Sequence, residues 1–253
     1  MWGLMISNKV VDDTMYLCLG NGGDDSSDPQ TGVILFGTSK ITIASNSAGG
    51  DVKKITMLDP TADKRLTPPS AWVQLDALNI VSANKASTPL AMSPGPYLID
   101  SGTSLLLLLP DAFTSLDVAF CGSITGAVSD SSMVVTCGAQ GDAAKNGYTI
   151  TMSGSNLALP TTTQLNNIFP NISFSFSTAS APVNFKPSIY MNYNGKTADG
   201  ATNKYVYRVY VGKAGSSFGL LGNAWMADWL IQQTISTRQL IMTSVKSCSD
   251  ISY

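Results

Sequence analysis

The chain has 253 residues, 44% of them hydrophobic, which is enough for one large domain with a substantial core. Charged residues make up only 13%, the formal net charge is −2 and no basic run occurs, so the composition argues against a nucleic-acid partner. The sequence contains no histidine. This excludes Ser-His-Asp catalysis, Cys-His catalysis and His-ligated zinc sites built from this chain alone.

Low charge combined with abundant Ser, Thr, Asn, Ala and Gly is typical of a secreted or lumenal β-rich protein, whether extracellular, vacuolar or lysosome-like. The longest purely apolar run, residues 105–109, is far shorter than the roughly 20 residues that a membrane-spanning helix needs. We therefore expect no membrane span in this sequence.

The four cysteines are Cys18, Cys121, Cys137 and Cys248. None of them forms a CxxC pair, so their spacing argues against zinc or redox motifs, and we expect no metal site. An even number of cysteines in a chain of extracellular character favours two disulfides, for which the count alone allows three pairings. Four buried thiols in a cytosolic protein remain the alternative.

The first elements in chain order are apolar runs at residues 15–19 and 32–37. They are joined by a stretch rich in Gly, Asp and Ser, which predicts a β-hairpin with a solvated turn. Residues 71–81 alternate apolar and polar side chains, which predicts a half-buried strand. A short apolar strand is expected at residues 96–99, directly before Asp100.

Helical spacing, with a proline near its start, predicts a helix over residues 110–120. Residues 168–176 alternate in polarity and predict a further strand. The remaining patterns are β-type runs at 205–211, 218–222 and 238–245, and a candidate short helix at 225–230. With no fixed-period repeat and no linker rich in Pro or Ser, the chain is predicted to be one all-β domain with a few short helices.

The most specific local feature is the end of the strand before Asp100, where the acid is followed by Ser101, Gly102 and Thr103. The glycine permits a tight turn, and the hydroxyls and turn amides can donate hydrogen bonds that orient the carboxylate. An acid of defined orientation is what catalysis by carboxylates requires. The tripeptide Asp-Ser-Gly alone is also explained by an ordinary loop aspartate that caps its own turn.

The wider pattern resembles the C-terminal lobe of pepsin-like aspartic proteases. The apolar strand, the sequence Asp-Ser-Gly-Thr-Ser and the leucines after it are similar to the second active-site loop of that family. Further similar segments follow in the family's order over residues 15 to 248. They are the opening hairpin at 15–19 and 32–37, a strand with a cysteine at 132–137, the "FP-x-I-x-F … Y" stretch at 168–176 and 183–190, the "hydrophobic-hydrophobic-Gly" segment at 218–225, and residues 239–242 in place of the family's "x-VG-[FL]" strand.

The resemblance implies the C-terminal half of a bilobal acid protease fold. It also implies that Asp100 is the catalytic aspartate of this lobe. In the same way Ser101 is expected to contact the opposite loop, Gly102 to form the turn and Thr103 to bond the carboxylate.

The segment implied to brace the catalytic loop is Leu220, Leu221 and Gly222. The sequence departs from the family pattern directly after this segment, where Asn223 replaces the usual aspartate. It departs again at residues 233–235, which replace the usual Val-Phe-Asp.

By the same resemblance, residues 1–14 are the remnant of an inter-lobe connection and residues 15–253 form the pepsin-like C-terminal lobe. The family hydrolyses peptide bonds with two aspartates and an activated water, without a cofactor, and the first aspartate belongs to an N-terminal lobe. No second Asp-[Ser/Thr]-Gly occurs in this chain, and Asp130, Asp142 and Asp199 lack the strand and hydroxyl context.

Three hypotheses therefore stay open. The chain is one part of an endopeptidase, in which an N-terminal lobe or another protein chain covers the face of Asp100. It is a homodimeric protease, against which the lack of a recognisable flap argues. Or it is a non-catalytic structural or binding module that kept the lobe fold.

In the branch of the family that resembles beta-secretase, a cysteine on the first strand of the lobe pairs with one just after the last strand. This implies a bond between Cys18 and Cys248. Cys121 and Cys137 flank a Gly- and Asp-containing step after the expected helix, and we expect them to pair. The only Asn-x-Ser/Thr sequon is at Asn171, a candidate glycosylation site where a strand is expected to begin.

Overall fold

In a computed structural model of the chain, the described residues are 13–19, 32–37, 41–43, 48–59, 61, 66, 71–82, 86–124, 133–139, 148–177, 179, 181–199, 202–215, 217–245, 248 and 251–252. The expected inter-lobe remnant falls almost wholly outside these residues, because only its last two positions are described. The predicted turn of the first hairpin, Asp130 and Asp142 also lie outside the described residues.

Short strands dominate the described residues, so the all-β prediction with a few short helices is confirmed. The strands are β1 (Thr14–Cys18), β2 (Val33–Phe36), β3 (Thr42–Ile43), β4 (Ala48–Thr56), β5 (Trp72–Val81), β6 (Ser87–Pro89), β7 (Gly95–Ile99), β8 (Leu106–Leu108), β9 (Met133–Ala139), β10 (Tyr148–Ser155), β11 (Asn171–Phe176), β12 (Val183–Phe185), β13 (Met191–Asp199), β14 (Thr202–Val209), β15 (Val211–Lys213), β16 (Gly219–Leu221), β17 (Trp229–Thr234), β18 (Gln239–Val245) and β19 (Ile251–Ser252). The helices are α1 (Pro110–Phe120), α2 (Thr162–Ile168), α3 (Pro187–Tyr190) and α4 (Asn223–Met226), and a 3₁₀ turn, Cys121–Ser123, follows α1.

The strands form three larger sheets and one small one. An eight-stranded sheet has the order β12-β11-β5-β7-β16-β8-β15, with β6 paired to β5. A five-stranded sheet has the order β2-β1-β17-β18-β4, a four-stranded sheet the order β13-β14-β10-β9, and β19 pairs with β3. Sheet pairing thus brings the first strand of the described chain beside a strand near its end, since β1 lies antiparallel to β17 as well as to β2.

One large apolar core lies against the eight-stranded sheet and receives side chains from the other two large sheets and from α1. Alternation along each strand selects the contributing residues, so that Ile172, Phe174 and Phe176 of β11 are all buried. A second, smaller cluster lies on the other face of the five-stranded sheet, where Cys18 and Leu230 pack with the C-terminal residues Cys248 and Ile251.

Several predicted elements occur as expected. Residues 15–19 and 32–37 contribute the antiparallel pair β1 and β2. Strand β5 coincides with the alternating stretch predicted at residues 71–81. Helix α1 begins at Pro110 and buries Ala112, Phe113, Leu116 and Phe120. At 11 residues it is the longest helix in the described part of the chain. No helix in that part is both long enough and apolar enough to cross a bilayer.

The strand predicted over residues 168–176 is wrong in its first part. Ile168 ends helix α2, and β11 begins only at Asn171. A capping box starts the helix, because the Thr161 hydroxyl accepts from the Gln164 amide and the Gln164 side chain accepts from the Thr161 amide. The side chain of Asn171, the candidate glycosylation site, is half-buried at the start of β11.

Two other boundaries also differ from prediction. The β-type run at residues 205–211 is divided at Tyr210, because β14 belongs to the four-stranded sheet whereas β15 pairs in parallel with β8. The short helix expected at 225–230 is α4, which ends at Met226, and Trp229 already starts β17.

The cysteines form two disulfides, Cys18–Cys248 and Cys121–Cys137, which are the two pairings stated above. The first joins β1 to the C-terminal segment across a sequence separation of 230 residues. The second joins the 3₁₀ turn after α1 to β9 across 16 residues.

Replacing both cysteines of the Cys121–Cys137 bond by serine should lower the free energy of unfolding by about 3 kcal/mol, because a loop of this length loses that much closure entropy. The same replacement at Cys18 and Cys248, which close a much longer loop, should cost about 5 kcal/mol. Urea unfolding of the two double variants measures both changes. A non-reducing peptide map that links Cys18 to Cys121 would contradict both pairings.

Candidate functional site

Asp100 lies at the end of β7, where a strand from much later in the chain, β16, is inserted into the eight-stranded sheet. Strand β16 runs between β7 and β8, parallel to β7 and antiparallel to β8. The backbone amide of Asp100 continues this pairing by donating to the carbonyl of Leu221 at 3.1 Å. The acid is therefore held at the rim of a paired sheet, on the loop of residues 100–105, called the Asp100 loop below.

The Asp100 carboxylate is oriented by its own loop. The amide of Gly102 donates to Oδ1 at 2.9 Å, and the hydroxyl of Thr103 donates to Oδ2 at 2.6 Å. The Thr103 amide donates in turn to the Asp100 carbonyl at 3.3 Å. Both carboxylate oxygens thus have a fixed donor, while the side chain stays half-exposed beside the exposed Ser101 and Gly102.

The bracing segment, Leu220 to Gly222, fits against the Asp100 loop with almost no free space. A Cβ on Gly222 would overlap the carbonyl oxygens of Thr103 and Leu105. The backbone of Gly222 has a φ of −82°, so the requirement for glycine comes from space and not from conformation. Directly after it, the Asn223 amide donates to the Thr103 carbonyl at 2.7 Å.

A second close approach lies at the other end of β16. A Cβ on Gly219 would overlap the ring of Tyr97, which is fully buried beneath the sheet. The Tyr97 hydroxyl accepts from the Leu109 amide at 3.2 Å, and burial raises the pKa of Tyr97 to about 12. The neutral phenol therefore holds β7 to the segment that leads into α1.

The two faces of the sheet differ around Asp100. Tyr97, Leu106 and Leu221 point into the core and are fully buried. Their neighbours on the opposite face, Leu98, Leu107 and Leu220, are aligned by the strand register and are only half-buried. Alternation places the Asp100 side chain on the same face as Leu98, so the carboxylate lies at the edge of a partly exposed apolar row.

The predicted site residues fall into separate parts of the fold. Asp100, Ser101, Gly102 and Thr103 meet the bracing segment, whereas the two disulfides and Asn171 lie on other elements. Within the described residues, no second carboxyl group forms a hydrogen bond with Asp100. Asp199 ends β13 in the four-stranded sheet, a different sheet from that of Asp100.

The part of the chain that the structure describes contains no group of three or more His, Cys, Asp or Glu side chains that could hold a metal ion. The site is therefore built of one oriented carboxylate, neighbouring hydroxyls and an apolar row. Such a carboxylate can accept or donate a proton, and hydrolysis by the two-carboxyl route requires a second carboxyl group beside it.

One further acid close to the bracing segment was missed from the sequence. Asp228 follows α4, and its Oδ1 atom is buried without a hydrogen-bond partner among the residues that the structure describes. Burial raises the pKa of Asp228, and the charge of Lys186 partly opposes this shift. The only sequence signal was an acid between Ala227 and Trp229 at the start of an apolar run, which also fits a surface turn.

Comparison with known protein families finds no match for this chain, and comparison with curated proteins finds none either.

Replacing Gly222 by alanine should destabilise the protein by roughly 1–3 kcal/mol and displace the Asp100 loop, because the new Cβ has to push the Thr103 and Leu105 carbonyls away. Gly215→Ala is the matched control, since nothing lies within 4 Å of a Cβ at that position. Urea unfolding measures the stability, and amide hydrogen exchange at Asn223 reports on the loop contact. Equal stability of the two variants would show that the close approach at Gly222 is absent.

Proposed function

We propose that this chain is the C-terminal lobe of a pepsin-like aspartic endopeptidase and supplies one of its two catalytic carboxylates, Asp100. The observation that carries the proposal is the geometry of the Asp100 loop. The acid ends an inner strand, both its oxygens are held by Gly102 and Thr103, and β16 supports the loop from the neighbouring position in the sheet. These are the segments in which the sequence resembles the family.

Peptide hydrolysis by two carboxyl groups defines what Asp100 contributes. One carboxylate takes a proton from water, the resulting hydroxide bonds to the peptide carbonyl carbon, and the second, protonated carboxyl gives its proton to the carbonyl oxygen. The tetrahedral intermediate then loses the amine after a proton reaches its nitrogen. Two carboxyl groups in direct contact share one proton, because the repulsion between two neighbouring negative charges prevents both groups from ionising.

The partner that the proposal requires brings the second carboxyl and covers the Asp100 face. Asp100 is the only charged residue in the stretches 95–109 and 217–222, which surround the site. The half-buried leucines Leu98, Leu107 and Leu220 offer this partner an apolar surface. We assign the role to an N-terminal lobe, with Ser101 exposed at the rim to contact it.

A secreted or lumenal location follows as part of the proposal. The two disulfides support it, because such bonds persist in oxidising compartments and are rare in the cytosol. Peptide or protein is then the substrate, and the chemistry uses no cofactor.

The alternative is a non-catalytic structural or binding module, and one observation favours it. The hydrogen bonds of the Asp100 side chain, as far as the described residues show them, all come from its own loop, as in an aspartate that only caps its turn. A carboxylate satisfied in this way needs no partner lobe for its stability.

Replacing Asp100 by asparagine decides between these functions. In the native assembly, Asp100→Asn should reduce protein cleavage between about pH 3 and pH 6 by roughly 10²- to 10⁴-fold, because the shared proton is lost with the carboxyl. Asp117→Asn, on the exposed side of α1, is the matched control and should leave cleavage unchanged. Unfolding in urea shows that both variants remain folded.

If the native material cleaves no protein in this pH range, and no second aspartate faces Asp100 in the assembly, the chain is a structural module. The mass of the active assembly separates the remaining cases. A second chain of different sequence supports the partner lobe, and two copies of this chain show a homodimeric protease instead.

A further inference from the structure

The segment that follows Gly222 contains a concentration of buried polar atoms without partners. Among the described residues, Asn223 Oδ1, Trp225 Nε1 and Asp228 Oδ1 are buried and have no hydrogen-bond partner. Native proteins leave few such atoms, because each costs roughly 1–3 kcal/mol. Three of them within six residues therefore indicate a segment with a special role.

Asp228 is the member of this group that can change its charge. Its backbone has a φ of +67°, in the left-handed region, and its carbonyl accepts from the Val245 amide at 2.9 Å. The turn between α4 and β17 is thereby held to β18, which fixes where the side chain starts. A carboxylate with a buried, unbonded oxygen is costly, whereas the neutral acid costs much less.

Few titratable groups surround Asp228. Strands β16, β17 and β18 carry no charged residue. Helix α3, which packs against α4, brings Lys186 at its N-terminal end, and this cation acts on Asp228. Tyr190 of the same helix donates its hydroxyl to the Pro170 carbonyl, and complete burial raises its pKa well above 10, so it stays neutral in acidic and neutral solution.

A continuous chain of contacts connects this turn to the candidate catalytic carboxylate. The Ala227 amide donates to the Asn223 carbonyl, and the Trp225 amide donates to the Gly222 carbonyl. The Asn223 amide holds the Thr103 carbonyl, and the Thr103 hydroxyl holds Asp100. Loosening the turn at Asp228 therefore loosens the support of the Asp100 loop.

We propose that Asp228 is a proton-controlled structural residue, whose neutral form stabilises the turn after α4 and whose ionisation weakens the bracing of the Asp100 loop. The chain then holds this loop best in acidic surroundings, whichever function the loop has. The proposal goes beyond the proposed function, because it concerns the pH at which the lobe is ordered and not the reaction.

The direction of the effect follows from proton binding. Since the pKa of Asp228 is higher in the folded protein than its ordinary value of 3.8, folding disfavours the ionised form. The stabilising contribution of the neutral acid is complete below 3.8 and is lost as the pH rises through the folded pKa. Each pKa unit by which the folded value of Asp228 exceeds its ordinary value changes the unfolding equilibrium constant tenfold.

Urea unfolding from about pH 4 to about pH 7 tests the proposal. The unfolding equilibrium constant of the wild type should rise with pH, by up to about tenfold per pH unit, between the pKa of Asp228 in the unfolded chain and its raised pKa in the folded protein. Asp228→Asn should remove this part of the pH dependence, and asparagine tolerates the left-handed backbone. Asp117→Asn, an exposed acid, is the control and should keep it. Equal pH dependence in the wild type and Asp228→Asn overturns the proposal.

Lys186→Gln gives a test that does not alter the turn itself. Removing the cation should raise the pKa of Asp228 further, so that the loss of stability should continue to a higher pH than in the wild type. An unchanged pH profile in this variant contradicts the proposal even if Asp228→Asn fails to fold.

Amide hydrogen exchange of Asp100 and Asn223, corrected for the intrinsic pH dependence of exchange, tests the link to the loop. Protection of both amides should fall with rising pH in the wild type and stay constant in Asp228→Asn. Protection that is independent of pH in the wild type refutes the link. None of these measurements uses peptide cleavage, so their failure is distinct from a failure of the proposed function.

Discussion

The site depends on one close approach between backbones, the entry of β16 between β7 and β8. The entry requires glycine at both ends of the segment, because the Tyr97 ring fills the space beside Gly219 and the Thr103 carbonyl fills the space beside Gly222. The two paired segments lie far apart in the chain, so loop-closure entropy opposes their pairing. Complete burial of Tyr97 and Leu221 on the core face offsets that cost.

The same pairing gives Asp100 two neighbouring environments. Behind it lies the buried apolar core, and in front of it lies the half-exposed face with Leu98 and Leu220. Because the donors Gly102 and Thr103 come from the acid's own loop, its orientation is set before any partner arrives. A preoriented carboxylate lowers the cost of assembling a catalytic pair, and it equally serves a module that only needs a well-formed turn.

Local sequence patterns predicted correctly those elements whose bounds depend only on neighbouring residues. Pro110 and the apolar spacing after it gave α1 to the residue, but the capping box at Thr161 was overlooked because the alternation after it extends back to Ile168. The change of sheet at Tyr210 could not be read from a continuous β-type run. Likewise, no local pattern reports that residues near Gly222 pack on Asp100, and that expectation came only from the family resemblance.

Shifted pKa values of acidic residues make the stability of the chain depend on pH in two opposite directions. Hydrogen bonds from the Ser236 side chain and amide lower the pKa of Asp13, and those from the Thr61 hydroxyl and amide lower the pKa of Asp59. Their stabilising contributions are present above 3.8 and are lost as the pH falls through the lowered values. Asp228 acts in the opposite direction, since its contribution is complete below 3.8 and is lost as the pH rises through its raised pKa. The pH dependence contributed by Asp228 therefore opposes that contributed by Asp13 and Asp59.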